Sequence, residues 1–348
     1  MFRFARPLRL HTPRRAFATA ARDTVTIVEV GPRDGLQNEK GAVIPPQVKA
    51  ELITRLANAG VQVIEAGSFV SPKWVPQMAG TDEVLTSLSN LPPSTRLPVL
   101  VPNQKGLDSV LSLLQSQPHL APQIEVSVFT AATDAFTRAN LNCSIAESLE
   151  RLEPVVSRST DAGLRVRGYV SVVVACPYTG QVDYKVVRNV SEKLIGMGCY
   201  EISLGDTVGM GTPSQISDML EEVKKSVPVE QLAGHFHDTY GTAVANVLTA
   251  LSHEIRVIDA SVAGLGGCPY SPGATGNVAT EDILYALRDS PYHVSGSSGG
   301  GIDLEKLVDV GWWISEKLGR ESVSRAGRAI RARRLREERE REKTQAKL

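Results

Sequence analysis

The sequence predicts an α/β fold, a (β/α)8 TIM barrel with a C-terminal helical extension, and three observations carry that expectation. Short β-branched runs alternate with longer stretches of helical spacing eight times after Thr24. Eight such units in about 270 residues match the count and size of a closed parallel barrel. Polar residues interrupt the apolar runs at their C-terminal ends, the edge at which such a barrel collects its chemistry. The competing architecture, a doubly wound open sheet, normally carries a Gly-x-Gly-x-x-Gly turn after its first strand, and this chain has none there.

The expected strands are the short β-branched or apolar runs 26–30, 61–66, 96–101, 123–130, 165–174, 200–207, 232–238 and 257–264. Between them the spacing predicts helices around 46–59, 81–89, 104–116, 144–162, 182–196, 213–226, 242–251 and 279–288. Residues 291–303 read as a Gly/Ser loop, and Leu304–Leu318 as a helix that packs Leu307, Trp312 and Trp313. Beyond Arg320 the charge runs predict a solvated helix or a frayed tail. The expected organisation is a presequence at 1–22, a catalytic barrel at 24–319 and a charged tail at 320–348.

The formal net charge is zero but unevenly spread. Residues 1–22 carry six arginines and no acid; residues 320–348 carry eleven Lys/Arg against five Glu; the middle holds 21 basic against 33 acidic residues. A middle of that sign gives nucleic-acid binding no support. No apolar run approaches the roughly 20 residues of a membrane span. The Arg-, Ala- and Thr-rich start has the make-up of a mitochondrial transit peptide, and the final Ala346-Lys347-Leu348 differs by one small residue from a peroxisomal address. Four cysteines without a Cys-x-x-Cys pair argue against a disulfide framework, and Cys143, Cys176 and Cys199 are expected to pack as small buried hydrophobes.

The chemistry collects at the strand ends. Glu29 closes the first run, Arg33 and Asp34 follow it, Glu65 ends the second, Asp206 the sixth, and His235 and His237 the seventh. Any one of these could be a structural ion pair; a whole set at one edge points to a site. Residues i and i+2 of a strand point the same way, so His235 and His237 face inward together. With Asp34 and the amide of Asn277 they make a mixed O/N set suited to Mg²⁺ or Mn²⁺, although two histidines and a carboxylate also take Fe²⁺ or Zn²⁺. Arg33 adds a permanent cation for an oxyanion; the bland alternative is a salt bridge to Glu29 or Glu65, and both can hold together because such a pair would orient the guanidinium. After the last run, Gly264, Gly266, Gly267, Gly273 and Gly276 surround Cys268, a soft thiol on a loop that could fold over a ligand. Metal, cation and thiol acid together describe carbon–carbon cleavage beside a carbonyl.

The segments VEVGPRDGLQNEK (28–40), VIEAGSFVSPKWVPQM (63–78), CPYTG (176–180), ISLGDTVGMGTP (202–213), GHFHDTYG (234–241) and SVAGLGGCPYSPGATGNVATED (261–282) resemble the 3-hydroxy-3-methylglutaryl-CoA lyase family. The resemblance spans roughly Thr24 to Leu318. It implies a metal-dependent barrel that splits its acyl-CoA substrate into acetyl-CoA and acetoacetate, in leucine breakdown and ketone-body formation. It also implies Asp34, His235, His237 and Asn277 as metal ligands, Arg33 at the thioester carbonyl, Cys268 as the proton-transfer residue, and Glu65 and Asp206 in support. A homodimer in the mitochondrial matrix is the expected setting. Ala66-Gly67 and Ala79-Gly80-Thr81 depart from the family pattern, as do the absence of a cysteine after Cys268 and the length of the tail. Rival readings are a related acyl-CoA condensing enzyme or a lyase for another 3-hydroxyacyl-CoA on the same barrel, a metal-dependent amidohydrolase, and a silent binding protein working through its basic tail.

Overall fold

The computed structural model describes residues 23–89, 91–267 and 276–346. Its strands are β1 (Asp23–Glu29), β2 (Val63–Ile64), β3 (Gly67–Ser68), β4 (Leu97–Leu100), β5 (Ile124–Ala131), β6 (Val166–Ser171), β7 (Ala175–Cys176), β8 (Gly180–Gln181), β9 (Glu201–Asp206), β10 (Leu232–Phe236), β11 (Val257–Ala260) and β12 (Tyr292–Val294). The helices are α1 (Pro46–Asn58), α2 (Thr81–Ser87), α3 (Gln104–Ser116), α4 (Asp134–Leu141), α5 (Ile145–Asp161), α6 (Tyr184–Met197), α7 (Pro213–Val223), α8 (Ala243–Ser252), α9 (Thr280–Ala286), α10 (Leu304–Leu318) and α11 (Arg325–Gln345).

All but the small β7–β8 hairpin join one parallel sheet, in the order β12-β1-β11-β10-β9-β6-β5-β4-β3. The sheet curls. Val63 and Ile64 pair with Val28 and Glu29 on one side, while Gly67 and Ser68 pair with Val99 and Leu100 on the other. Between them Glu65 donates its N–H to the Glu29 carbonyl at 2.9 Å, and Ala66 donates to Pro98 at 2.9 Å. The ladder thus runs from β1 round to β4 and back to its first strand. Helices cover the outside, and the central strands β4, β5, β6, β9 and β10 are nearly wholly buried, polar residues such as Glu125, Arg167 and Ser203 among them. Among the described residues no helix is long and apolar enough to cross a membrane.

Local chemistry fixes the helix ends. Ser144 with Glu147 and Thr212 with Gln215 form capping boxes at α5 and α7, while Asn103 and Asp303 cap α3 and α10. The expected strand through Val174 stops at Ser171, because Val172 turns into the left-handed region at φ 55° and the chain leaves the sheet for the hairpin. The last expected strand stops at Ala260, and Val262–Gly264 forms a tight turn with Ala263 at φ 57°. The expected loop at 291–303 contains β12, which pairs with Asp23–Val25 beside the start of β1.

The charged tail is helical from Arg325 to Gln345. Its face toward α10 buries Ile330 and carries Arg334, which pairs with Glu305 and, at 2.6 Å, with Asp309. Exposed pairs of this kind contribute about 0–1 kcal/mol each. The segment ahead of α11 crosses the edge where the strands end. Arg320 pairs with Glu39, Val323 donates its N–H to the Ala263 carbonyl at 3.1 Å, and Arg325 reaches Asp238 at 2.8 Å. Asp282 accepts from the Ser324 hydroxyl and the Ala326 N–H, both at 2.7 Å.

Candidate active site

The site begins where β1 ends. Gly35 donates its N–H to the Val30 carbonyl at 3.0 Å, five residues back, and this wide turn sets Arg33 and Asp34 side by side at the mouth of the sheet. Asp34 Oδ1 accepts from Arg33 Nη1 at 2.9 Å and from Gln37 at 2.7 Å; its Oδ2 accepts from the Asn277 amide at 2.8 Å. His235 leaves β10 with Nε2 4.0 Å from Asp34 Oδ2. His237, just past the strand, pairs across to Asn277, and the two imidazole centroids lie 5.3 Å apart. One donor atom from each of Asp34, His235 and His237 falls within 4.8 Å of the others, the spacing a single cation needs. The Nδ1 of His237 is buried with no hydrogen-bond partner, so an electron-pair acceptor would remove an unmet demand. The residues therefore fit a divalent cation.

The electrostatics agree with that donor set. Burial opposes charge on Asp34, but Arg33 and then the two histidines outweigh it and hold its carboxyl below the ordinary range. Burial, with repulsion from His235, pushes His237 down to about 4, which keeps it a neutral donor at pH 7. His235 moves the other way: burial lowers it, but the hydrogen bond and charge of Asp259 prevail. Arg33 is buried between two carboxylates, with Nη2 2.7 Å from Glu65 Oε2, and its Nε has no hydrogen-bond partner. Glu65 itself is raised by burial despite Arg33. Asp206 ends β9 in register with Phe236. Its Oδ2 accepts the Gly211 N–H at 2.8 Å, its Oδ1 is buried without a partner, and burial pushes it up to about 6.

Not every expected residue joins this cluster. Glu29 binds neither Arg33 nor the donors: it accepts from the N–H groups of Gly31 at 2.9 Å and Val262 at 2.8 Å and from the Thr280 hydroxyl at 2.6 Å. It braces the first turn against the last, and burial pushes it up to about 7. Cys268 lies outside the described residues, but the two ends of its segment are on view. Asn38 donates to the Gly267 carbonyl at 3.2 Å, and Asp238 donates its N–H to Gly276 at 2.8 Å. Gly266 and Gly276 sit at φ 125° and 90°, and a Cβ on Gly276 would stand 2.5 Å from the Gly266 backbone, so side chains are excluded there. Cys143, Cys176 and Cys199 are all buried. Cys176 is more polar than expected: burial raises its thiol, yet hydrogen bonds from Thr133, 3.1 Å away, and from Thr179 and the neighbouring backbone lower it overall.

Sequence reasoning passed over Asp259, Arg167, Ser203 and Tyr169. Arg167 and Tyr169 interrupt β6 two residues apart, and Asp259 interrupts β11, so the alternation that exposed the histidines was present here too. Glu281 was missed as well. Both its oxygens lie 3.0 Å from the Ala263 N–H, and burial, with smaller contributions from Glu29 and Asp282, pushes it up to about 8. A carboxyl raised in this way keeps its proton in the folded state and loses it near pH 4.5 when unfolded, so stability falls as pH rises from 4.5 to about 8 and is level above. Glu281→Gln keeps an acceptor for Ala263 and removes that slope. The unfolding free energy from urea titrations at pH 5.5 and 8.5 should therefore fall less in the variant, by about 3 kcal/mol. An identical fall in both proteins would remove Glu281 from the account.

Fold and cluster together define a parallel α/β protein with two histidines and one carboxylate spaced as a metal ion would need at the C-terminal edge of its sheet, and a buried arginine beside them. More specifically, the chain belongs to the HMGL-like family, whose model matches residues 24–314. It is 51% identical over 305 residues to the mitochondrial hydroxymethylglutaryl-CoA lyase of Gallus gallus, covering 88% of this chain and 97% of that one. The crystal structure of hydroxymethylglutaryl-CoA lyase from Pseudomonas aeruginosa is similar with a TM-score of 0.83 and 49% identity, over 89% of this chain and 98% of that one. An HMG-CoA lyase from A. baumannii in complex with coenzyme A and 3-methylmalate gives a TM-score of 0.80 at 32% identity, over 90% of this chain and 97% of that one.

Proposed function

We propose that this chain is a hydroxymethylglutaryl-CoA lyase, a carbon–carbon lyase that converts 3-hydroxy-3-methylglutaryl-CoA into acetyl-CoA and acetoacetate. The observation that carries the reading is the convergence of Asp34, His235 and His237 next to an arginine whose Nε is unengaged. Family membership and relatives of that name at about half identity support it. When bound, Mg²⁺ or Mn²⁺ would supply a Lewis acid for the substrate's hydroxyl and carbonyl oxygens. Asp34, His235 and His237 would hold it, and Asn277 would join them if its amide turned to present the oxygen, an exchange that leaves the side chain's shape unchanged.

The chain's own groups account for the remaining chemistry. The tertiary hydroxyl gives up its proton, the bond between C2 and C3 breaks, and the electron pair passes to C2 as the enolate of acetyl-CoA while C3 becomes the ketone of acetoacetate. Asp206, raised to about 6, is suited to hold that hydroxyl proton near neutral pH. Arg33, oriented by Glu65, faces the thioester oxygen that carries the enolate charge. Cys268, by its resemblance to the family's proton-transfer thiol, returns a proton to C2. A groove of about 790 Å³ opens at Ser68 and Phe69, just past Glu65, and offers room for the coenzyme A arm.

In this reading the curled sheet is a (β/α)8 barrel over residues 24–319, 1–22 is a mitochondrial presequence, and 320–348 is a helical tail. The matrix location is supported by relatives named as mitochondrial. A homodimer, and use of Ala346-Lys347-Leu348 as a peroxisomal address, complete the proposal. Purified protein should release acetoacetate from the hydroxymethylglutaryl thioester with Mg²⁺ and stop when the cation is chelated. Release that chelation leaves unchanged would overturn the metal-dependent reading, and condensation without cleavage would favour a synthase instead.

A further inference from the structure

Asp259 lies on β11 with 1% of its surface exposed, and all its polar contacts are short. Arg167 reaches it through Nη2 at 2.7 Å and Nη1 at 3.2 Å, Ser203 donates its hydroxyl at 2.7 Å, and His235 Nδ1 lies 3.1 Å away. Arg167 cannot swing off, because Glu201 holds its Nε at 2.6 Å and the Tyr169 hydroxyl accepts from Nη1 at 2.7 Å. The two imidazoles of the cluster are therefore unlike: His237 Nδ1 is without a partner, whereas His235 Nδ1 is tied to a carboxylate that is itself locked from three sides.

We propose that Asp259, held by Arg167 and Ser203, is a positioning residue for His235. An ionised carboxylate only accepts hydrogen bonds, so the imidazole hydrogen is kept on Nδ1 and the Nε2 electron pair is left facing Asp34 and the convergence point of the cluster. Without that partner the hydrogen is free to sit on Nε2, and an N–H would then point where an electron pair is needed. The inference rests on reading Asp34, His235 and His237 as cation ligands and adds which buried groups prepare one of them.

Asp259→Asn tests this at constant volume, since its amide can donate to Nδ1 and so favour the opposite tautomer. The Mn²⁺ affinity of the purified protein, by calorimetric titration, should drop about 10- to 100-fold. The ¹⁵N shifts of His235 at pH 8.5 should change from Nδ1–H in the native chain to a mixture or to Nε2–H. Ser203→Ala, which removes one bond to Asp259 and no charge, should give a several-fold loss and the same spectral trend; it decides the question if the Asn variant does not fold. Native protein without Mn²⁺ affinity would overturn the ligand reading and the inference with it. Native protein that binds Mn²⁺, with folded Asn or Ala variants of unchanged affinity and tautomer, would overturn the positioning role alone.

Discussion

Replacing Arg33 by methionine should lower turnover of the hydroxymethylglutaryl thioester by roughly 10²–10³, equivalent to about 3–4 kcal/mol of transition-state stabilisation. The effect falls on the chemical step because the guanidinium has already committed two nitrogens to the protein. Nη1 bonds Asp34 and Nη2 pairs with Glu65, which fixes the fork and leaves three of its five N–H groups, the partnerless Nε–H among them, for an enolate oxygen. Arg33→Lys is expected to be nearly as damaging, since one ammonium cannot hold two carboxylates and reach a third oxygen in one plane. The fold tolerates the change: Glu65, already raised by burial, takes up a proton once its partner has gone. Steady-state kinetics with parallel Mn²⁺ titration separate the two effects, kcat falling far more than metal affinity. A lysine variant with most of its turnover would show that charge alone, not the fork, is needed.

His235→Ala should remove metal affinity and activity together. It deletes one of two nitrogen donors in a three-residue set and leaves Asp259 with an empty position on its fourth side. Loss of a direct ligand should exceed the about 10- to 100-fold effect typical of the groups behind one. His237→Ala should act in the same direction without disturbing Asp259, because His237 Nδ1 has no partner to orphan. Calorimetry with Mn²⁺ and turnover assays on both variants check this. An alanine variant with native affinity would take that histidine out of the ligand set.

The strands of the curled sheet were legible because buried strands show as short β-branched and apolar runs, with longer stretches of helical spacing between them. What escaped was set by tertiary contact. α4 buries only Phe136 and Thr137, too little for a periodic signal, and β12 is three residues long and exists through its pairing with β1. The histidines, Arg33 and Glu65 stood out as polar interruptions at strand ends. Asp259 carried the same mark, but its partners lie 92 and 56 residues away in Arg167 and Ser203, and one sequence does not show which distant polar residues meet. Glu29 was singled out by the same rule, and the structure gives it backbone donors to hold instead of ligands.

The crossing segment from Arg320 to Ala326 bears on how the molecule is made. Every strand and every residue of the donor cluster has been translated by the time the ribosome reaches Gly319, yet Glu39, Ala263, Asp238 and Asp282 still await their partners. A chain halted there leaves the turn at Val262–Gly264 without Val323 against Gly264 and leaves two carboxylates beside the cluster without their cations. A product stopped at Gly319 would thus carry Asp34, His235 and His237 in an unbraced rim.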